Sequence, residues 1–74
     1  MARRNEDGVI LEFVHIGRYV KVSAIDTKSG MEVSIVGDPA QGEAALQRVA
    51  IRKLQYVMNK KAAEASQSGG GRLV

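Results

Sequence analysis

The chain has no cysteine, one histidine (His15), one phenylalanine (Phe13) and one proline (Pro39). Without cysteine there is no disulfide framework and no thiolate zinc site, the two commonest staples of very small domains. A lone histidine cannot assemble a metal site without other ligands, and Glu12 falls on the opposite strand face by alternation. No run approaches the ~18 apolar residues of a membrane span. The amino terminus turns acidic at Glu6-Asp7, where a secretory signal would need an apolar stretch. These absences point to a cytoplasmic protein that uses no cofactor and does not enter a membrane. Chains near 74 residues bury only roughly 60% of the surface that the unfolded form exposes, so the core is thin and self-association would help it.

Charge is unevenly placed. Arg3 and Arg4 balance Glu6 and Asp7, and residues 9–38 are slightly acidic. Residues 39–74 hold Arg48, Arg52, Lys53, Lys60, Lys61 and Arg72 against Glu43 and Glu64, so any anionic partner should meet this part of the chain.

What is present is a regular pattern. VILEFVHI (Val9–Ile16) is rich in β-branched and aromatic residues, and YVKVSAI (Tyr19–Ile25) alternates apolar with polar. Gly17-Arg18 between them suits a two-residue hairpin with glycine at the positive-φ position. Pairing Ile16 with Tyr19 sets Phe13 opposite Val22 and Leu11 opposite Ala24, which puts Val9, Leu11, Phe13, Val20, Val22 and Ala24 on one face. Asp26-Thr27-Lys28-Ser29-Gly30 is a second turn, leading to a strand over Met31–Val36. If Asp26 pairs with Met31, Val33 and Ile35 join the same face, so two independent turns give one core.

After Gly37, Asp38 suits a helix cap, Pro39 the first helical position and Gln41 a capping box, although the helix could also begin nearer Gln41 or Gly42. Leu46, Ala50, Leu54, Val57 and Met58 recur at helical spacing, flanked by Ile51 on one side and by Val49 and Tyr56 on the other. The expected fold is α+β: a three-stranded antiparallel β-meander with one C-terminal helix on one face (βββα) over residues 9–63. Residues 1–8 are expected to be disordered, as is the Gly/Ser-rich tail 64–74. A helix of about 22 residues outruns seven-residue strands, so Lys60 and Lys61 should project past the sheet.

Four places invite a functional reading. His15 points coreward at the turn end of its strand and reads as half-buried and hydrogen-bonded, since a general base needs a positioned second group. Ser23 and Ser34 are cross-strand neighbours with no base beside them and read as exposed strand residues, so nucleophilic catalysis has no support. The outer sheet face gathers Val14, Ile16, Tyr19 and Val36 around Lys21, with Ile10 and Ile25 at the far end. With strand Tyr19–Ile25 in the centre and two edges open, that face is a candidate interface for a homodimer or a protein partner. Arg48, Arg52, Lys53, Lys60 and Lys61 are candidate phosphate contacts. A βββα order resembles double-stranded RNA-binding domains, but the preceding helix is missing and the first helical turns hold Gln41, Gly42 and Glu43 instead of lysines.

The run from Leu11 to Met58 resembles a family of short, uncharacterised alphaproteobacterial proteins, a domain of unknown function. The resemblance lies in Glu12-Phe13-Val14 with Ile16-Gly17, in Val20-Lys21-Val22, in the Gly30 turn, in Val33-Ser34-Ile35-Val36-Gly37, and in Arg52-Lys53-Leu54 with Tyr56-Val57. It implies domain boundaries and no site residues. The expectation is a non-catalytic interaction module that self-associates through the outer face or an edge strand, and second to it a nucleic-acid-binding accessory protein; an enzyme ranks last.

Overall fold

Gly17 adopts φ 58, and the hairpin it turns has the expected register, Ile16 opposite Tyr19, Phe13 opposite Val22 and Leu11 opposite Ala24. A computed structural model, which describes residues 2–67, shows this hairpin at the centre of a four-stranded antiparallel sheet of order β1-β2-β3-β4. The strands are β1 (Ala2–Glu6), β2 (Val9–Ile16), β3 (Tyr19–Asp26) and β4 (Glu32–Gly37). They are followed by a single 3-10 turn, Pro39–Gln41, and by one helix, α1 (Glu43–Gln67).

The three-stranded expectation is therefore corrected to four strands, and residues 1–8, expected to be disordered, contain a strand. β1 pairs with β2 from Ala2 opposite Phe13 to Glu6 opposite Val9. Asp7 and Gly8 join them, both at positive φ (50 and 80), the backbone that an Asp-Gly hairpin turn adopts. Ala-Arg-Arg-Asn-Glu lacks the apolar alternation by which a strand is recognised, so only the turn dipeptide announces it. The turn is also anchored from outside: Thr27 donates to the Gly8 carbonyl through both its backbone N (2.9 Å) and its hydroxyl (2.8 Å).

The second turn follows its chemistry closely. Asp26 Oδ2 accepts the Ser29 backbone N–H at 2.8 Å, the Gly30 N–H returns to the Asp26 carbonyl at 2.8 Å, and Gly30 takes φ 77. β4 then lies with Val33 opposite Ala24 and Ile35 opposite Val22, as the pattern predicts. The Ser29 backbone hydrogen bond, with a further one from the Ser29 side chain, holds the Asp26 carboxyl below its ordinary value.

The capping box is present, but it closes the 3-10 turn and not the long helix. Asp38 Oδ1 accepts from Ala40 N at 2.9 Å, and Asp38 N donates to Gln41 Oε1 at 3.0 Å. Gly42 at φ 86 breaks the path, and α1 starts at Glu43. Gly37 is needed for a different reason. A Cβ there would run into Leu46 Cδ2 and approach Gln41 Oε1 to 3.2 Å, so its missing side chain lets the helix entry close onto β4.

The core is Leu11, Phe13, Val20, Val22, Ala24 and Val33 from the sheet against Leu46, Ala50 and Leu54 from α1, with Ile35, Ile51, Val57 and Met58 packed around it. Leu46, Ala50 and Leu54 each follow the last by four residues and form one helix row. That row lies over β3 and β4. Because the sheet ends at β4, Val49 and Tyr56 on that flank have no strand beneath them. They are 45% and 64% exposed, against the expectation that they complete the buried stripe. His15, expected half-buried, is exposed. Ser23, expected exposed, is 6% exposed on the outer face, with its Oγ 3.1 Å from that of Ser34.

α1 runs past the expected end near Ala63, so that residues 64–67 of the predicted tail are helical; residues 68–74 lie outside the described residues. Its 25 residues span about 37 Å against about 27 Å for the eight-residue strands, and Asn59 to Glu64 are all exposed. Among the described residues, no helix is long and apolar enough to cross a membrane.

Two outcomes follow. Gly37→Ala should lose about 1–3 kcal/mol in urea unfolding by overpacking, short of the ~2–5 kcal/mol for Leu54→Ala, which opens a cavity. Since the folded Asp26 pKa is depressed, the contribution of its carboxylate is present above the unfolded value and lost as pH falls through the folded one. An NMR titration should place its midpoint below that of a free aspartate, and Asp26→Asn should flatten that part of the stability profile.

Candidate functional site

The outer face of the sheet is built in rows across the strands. At the turn end, Ile16 stands opposite Tyr19, and the next row is Val14, Lys21 and Val36. Ile16 is 54% exposed, Tyr19 58% and Val36 66%; Val14 is half-buried and Lys21 exposed. All five predicted interface residues are thus brought together, and among the described residues no second layer lies over them. A polar belt follows, Arg3, Glu12, Ser23 and Ser34, in which Arg3 and Glu12 form an ion pair. Beyond it Ile10 and Ile25, both half-buried, lie between Asn5 and Glu32.

One of the two edges differs from expectation, because β1 and not β2 borders the sheet, while β4 is an edge as expected. β1 carries Arg3 and Arg4, and β4 is met by Lys53, whose Nζ donates to the Ser34 carbonyl at 2.9 Å. Charge placed on an edge strand and a lysine seated on its free carbonyl both oppose the addition of a further strand. One stretch is left open: the β1 register stops at Ala2 opposite Phe13, so Val14 to Ile16 have no neighbour on that side among the described residues.

The five predicted phosphate contacts are not brought together. Arg48 and Arg52 line a groove between α1 and β1, Lys53 sits on the β4 flank, and Lys60 and Lys61 are exposed on the overhanging part of the helix. In their place the groove gains Arg4. This side chain shares the core face with Leu11, lies 5.6 Å over the Phe13 ring, and donates through Nη1 to Gln47 Oε1 (2.7 Å) and through Nη2 to Glu43 Oε1 (2.9 Å). Arg4 escaped the sequence reading because its strand did; the Asp7-Gly8 turn was the signal that would have placed it opposite Leu11.

Catalytic geometry is thin. His15 borders a cavity of about 60 Å³ shared with Phe13, Val20, Pro39, Glu43 and Leu46, and the one carboxylate there already holds Arg4. Neither serine of the Ser23–Ser34 pair has a base as its hydrogen-bond partner. Among the described residues no group of three or more His, Asp or Glu side chains could hold a metal ion.

Arg4 joins β1 to α1, so Arg4→Ala should lower stability by up to about 1 kcal/mol, the ceiling for a half-exposed ion pair. Arg3→Ala, which breaks only a pair on the outer face, should cost less. Arg4→Lys should recover little, since an ammonium cannot make the forked contact to Gln47 and Glu43. Thermal melts of the three variants check this order.

A family model described as a domain of unknown function (DUF6898) matches residues 6–61, which include part of β1, all of β2 to β4 and most of α1. No curated protein and no solved structure matches the chain.

Proposed function

We propose that this chain, which belongs to the DUF6898 family, is a non-catalytic cytoplasmic interaction module that pairs with a second copy of itself through the outer face of its sheet. The observation that carries this reading is the exposed apolar cluster Ile16, Tyr19 and Val36 on a face that the single helix cannot reach. Both edges are defended by charge, so a face-to-face pair is favoured over strand addition, apart from the short open stretch at Val14 to Ile16.

Electrostatics constrain the pairing. A twofold axis through Lys21 would set two ammonium groups against each other. An axis nearer the polar belt gives each lysine a carboxylate, since Glu12 and Glu32 lie on the same face. The area is modest: strands of five, eight, eight and six residues present roughly 440 Å² per protomer, below the ~800 Å² of a standard interface. The dimer should therefore be weak and concentration-dependent. The alternative of a nucleic-acid-binding helix face loses its continuous row, because Lys53 is on the opposite flank from Arg48 and Arg52.

Sedimentation at several concentrations should show a monomer–dimer equilibrium. Tyr19→Glu and Val36→Glu should abolish it, whereas Tyr56→Glu, equally exposed but on the helix, should leave it intact. A monomer at every concentration, or a dimer lost only in Tyr56→Glu, would contradict the reading.

A further inference from the structure

The groove between β1 and α1 is on the other side of the sheet from the proposed dimer face, and its chemistry is not accounted for by packing. Its volume is about 470 Å³, within the range of roughly 300–1,000 Å³ occupied by small-molecule sites. Three arginines line it, Arg4 from the strand and Arg48 and Arg52 from the helix, and no carboxylate does. Glu43 beside it is bonded to Arg4. Arg48 and Arg52 have no acidic partner among the described residues.

A solvated basic helix face explains this poorly. Arg48 and Arg52 are four residues apart, where like charges destabilise a helix by a few tenths of a kcal/mol. The residues that could relieve each of them at three- or four-residue spacing are Ala44, Ala45 and Ile51 for Arg48 and Val49, Gln55 and Tyr56 for Arg52, none of them acidic. Arg4 comes from another element, and its pair with Glu43 both ties β1 to α1 and compensates its charge, so the unbalanced charge in this space is that of Arg48 and Arg52.

We propose that this groove is a binding site for the phosphate of a nucleotide-sized phosphate ester. Arg48 and Arg52, four residues or about 6 Å apart along the helix, bracket the phosphate with forked charge-assisted hydrogen bonds. Arg4 is held in place by Gln47, Glu43 and the Phe13 ring and uses only two of its five N–H groups in doing so. Its remaining donors extend the positive wall without further ordering. Ala44 and Ile51 supply the apolar surface for a flat ring, and the Gln55 amide supplies a donor and an acceptor for the ring's edge. The phosphate has two sources, a free mononucleotide or a nucleic-acid strand, and both present the same group to the same arginines.

The test is a two-dimensional amide NMR titration of the full chain with inorganic phosphate, with a nucleoside 5′-monophosphate and with a short single-stranded oligonucleotide, each at low and moderate salt. Saturable shifts confined to Ala44, Gln47, Ile51 and Gln55 are expected, with the mononucleotide binding more tightly than phosphate. Arg48→Gln with Arg52→Gln should weaken it roughly tenfold or more, the loss expected for charge-assisted hydrogen bonds. The amide spectrum of that variant alone reports whether it is folded, and Tyr19→Glu should bind as the parent does. An oligonucleotide that binds no more tightly than the mononucleotide identifies the free nucleotide as the ligand. One that binds far more tightly, and loses this in the double variant, identifies the strand. Shifts that fail to saturate, that centre on Lys60 and Lys61, or that survive in the double variant would overturn the proposal.

Discussion

One helix serves a sheet that has two faces, and the rest of the molecule follows from that mismatch. The row Leu46, Ala50 and Leu54 closes over Leu11, Val22 and Ala24, side chains with essentially no remaining exposure. It does so by leaning over β3 and β4. On the near flank the sheet ends at β4 before the helix does, which strands Val49 and Tyr56 in solvent and leaves Lys53 to cover the edge. On the far flank the helix stops short of β1, and the gap becomes the arginine-lined groove, bridged at one end by Arg4. Among the described residues nothing covers the outer face.

A chain this small has little core to spare, and its hydrogen bonds show how the remaining elements are tied in. β1 has almost no apolar content, so it is held by its ladder to β2, by Arg4 across the groove, and by Thr27 of the β3–β4 loop, which clamps the Gly8 carbonyl at the same end of the sheet. Such a strand depends on polar ties with a few exposed partners, each worth on the order of 1 kcal/mol. It is the natural place for local opening before the central hairpin gives way.

Much of this was legible in the residues. Gly17-Arg18 and Asp26 to Gly30 determined two registers because turn geometry and apolar parity agreed, and the predicted pairs Phe13–Val22 and Val22–Ile35 are those observed. Parity names a face and says nothing of how far the cover extends. His15, Val49 and Tyr56 were therefore assigned to the correct side and still proved exposed, while Ser23 was closed off by its neighbours on an uncovered face. β1 went unread because its only signal was a dipeptide turn, and with it went Arg4 and the groove. The exposed row Ile16, Tyr19 and Val36 was visible from alternation alone, because a surface residue needs no long-range information beyond register.

The central claim is that the uncovered face is where this protein meets its own kind. Attenuation of side-chain NMR signals by a soluble paramagnetic agent, recorded from dilute to concentrated protein, addresses it residue by residue. The account predicts that Ile16, Tyr19 and Val36 become protected as concentration rises while Val49 and Tyr56 stay as accessible as before. Protection that appears on Val49 and Tyr56 instead, or on neither set, would contradict it.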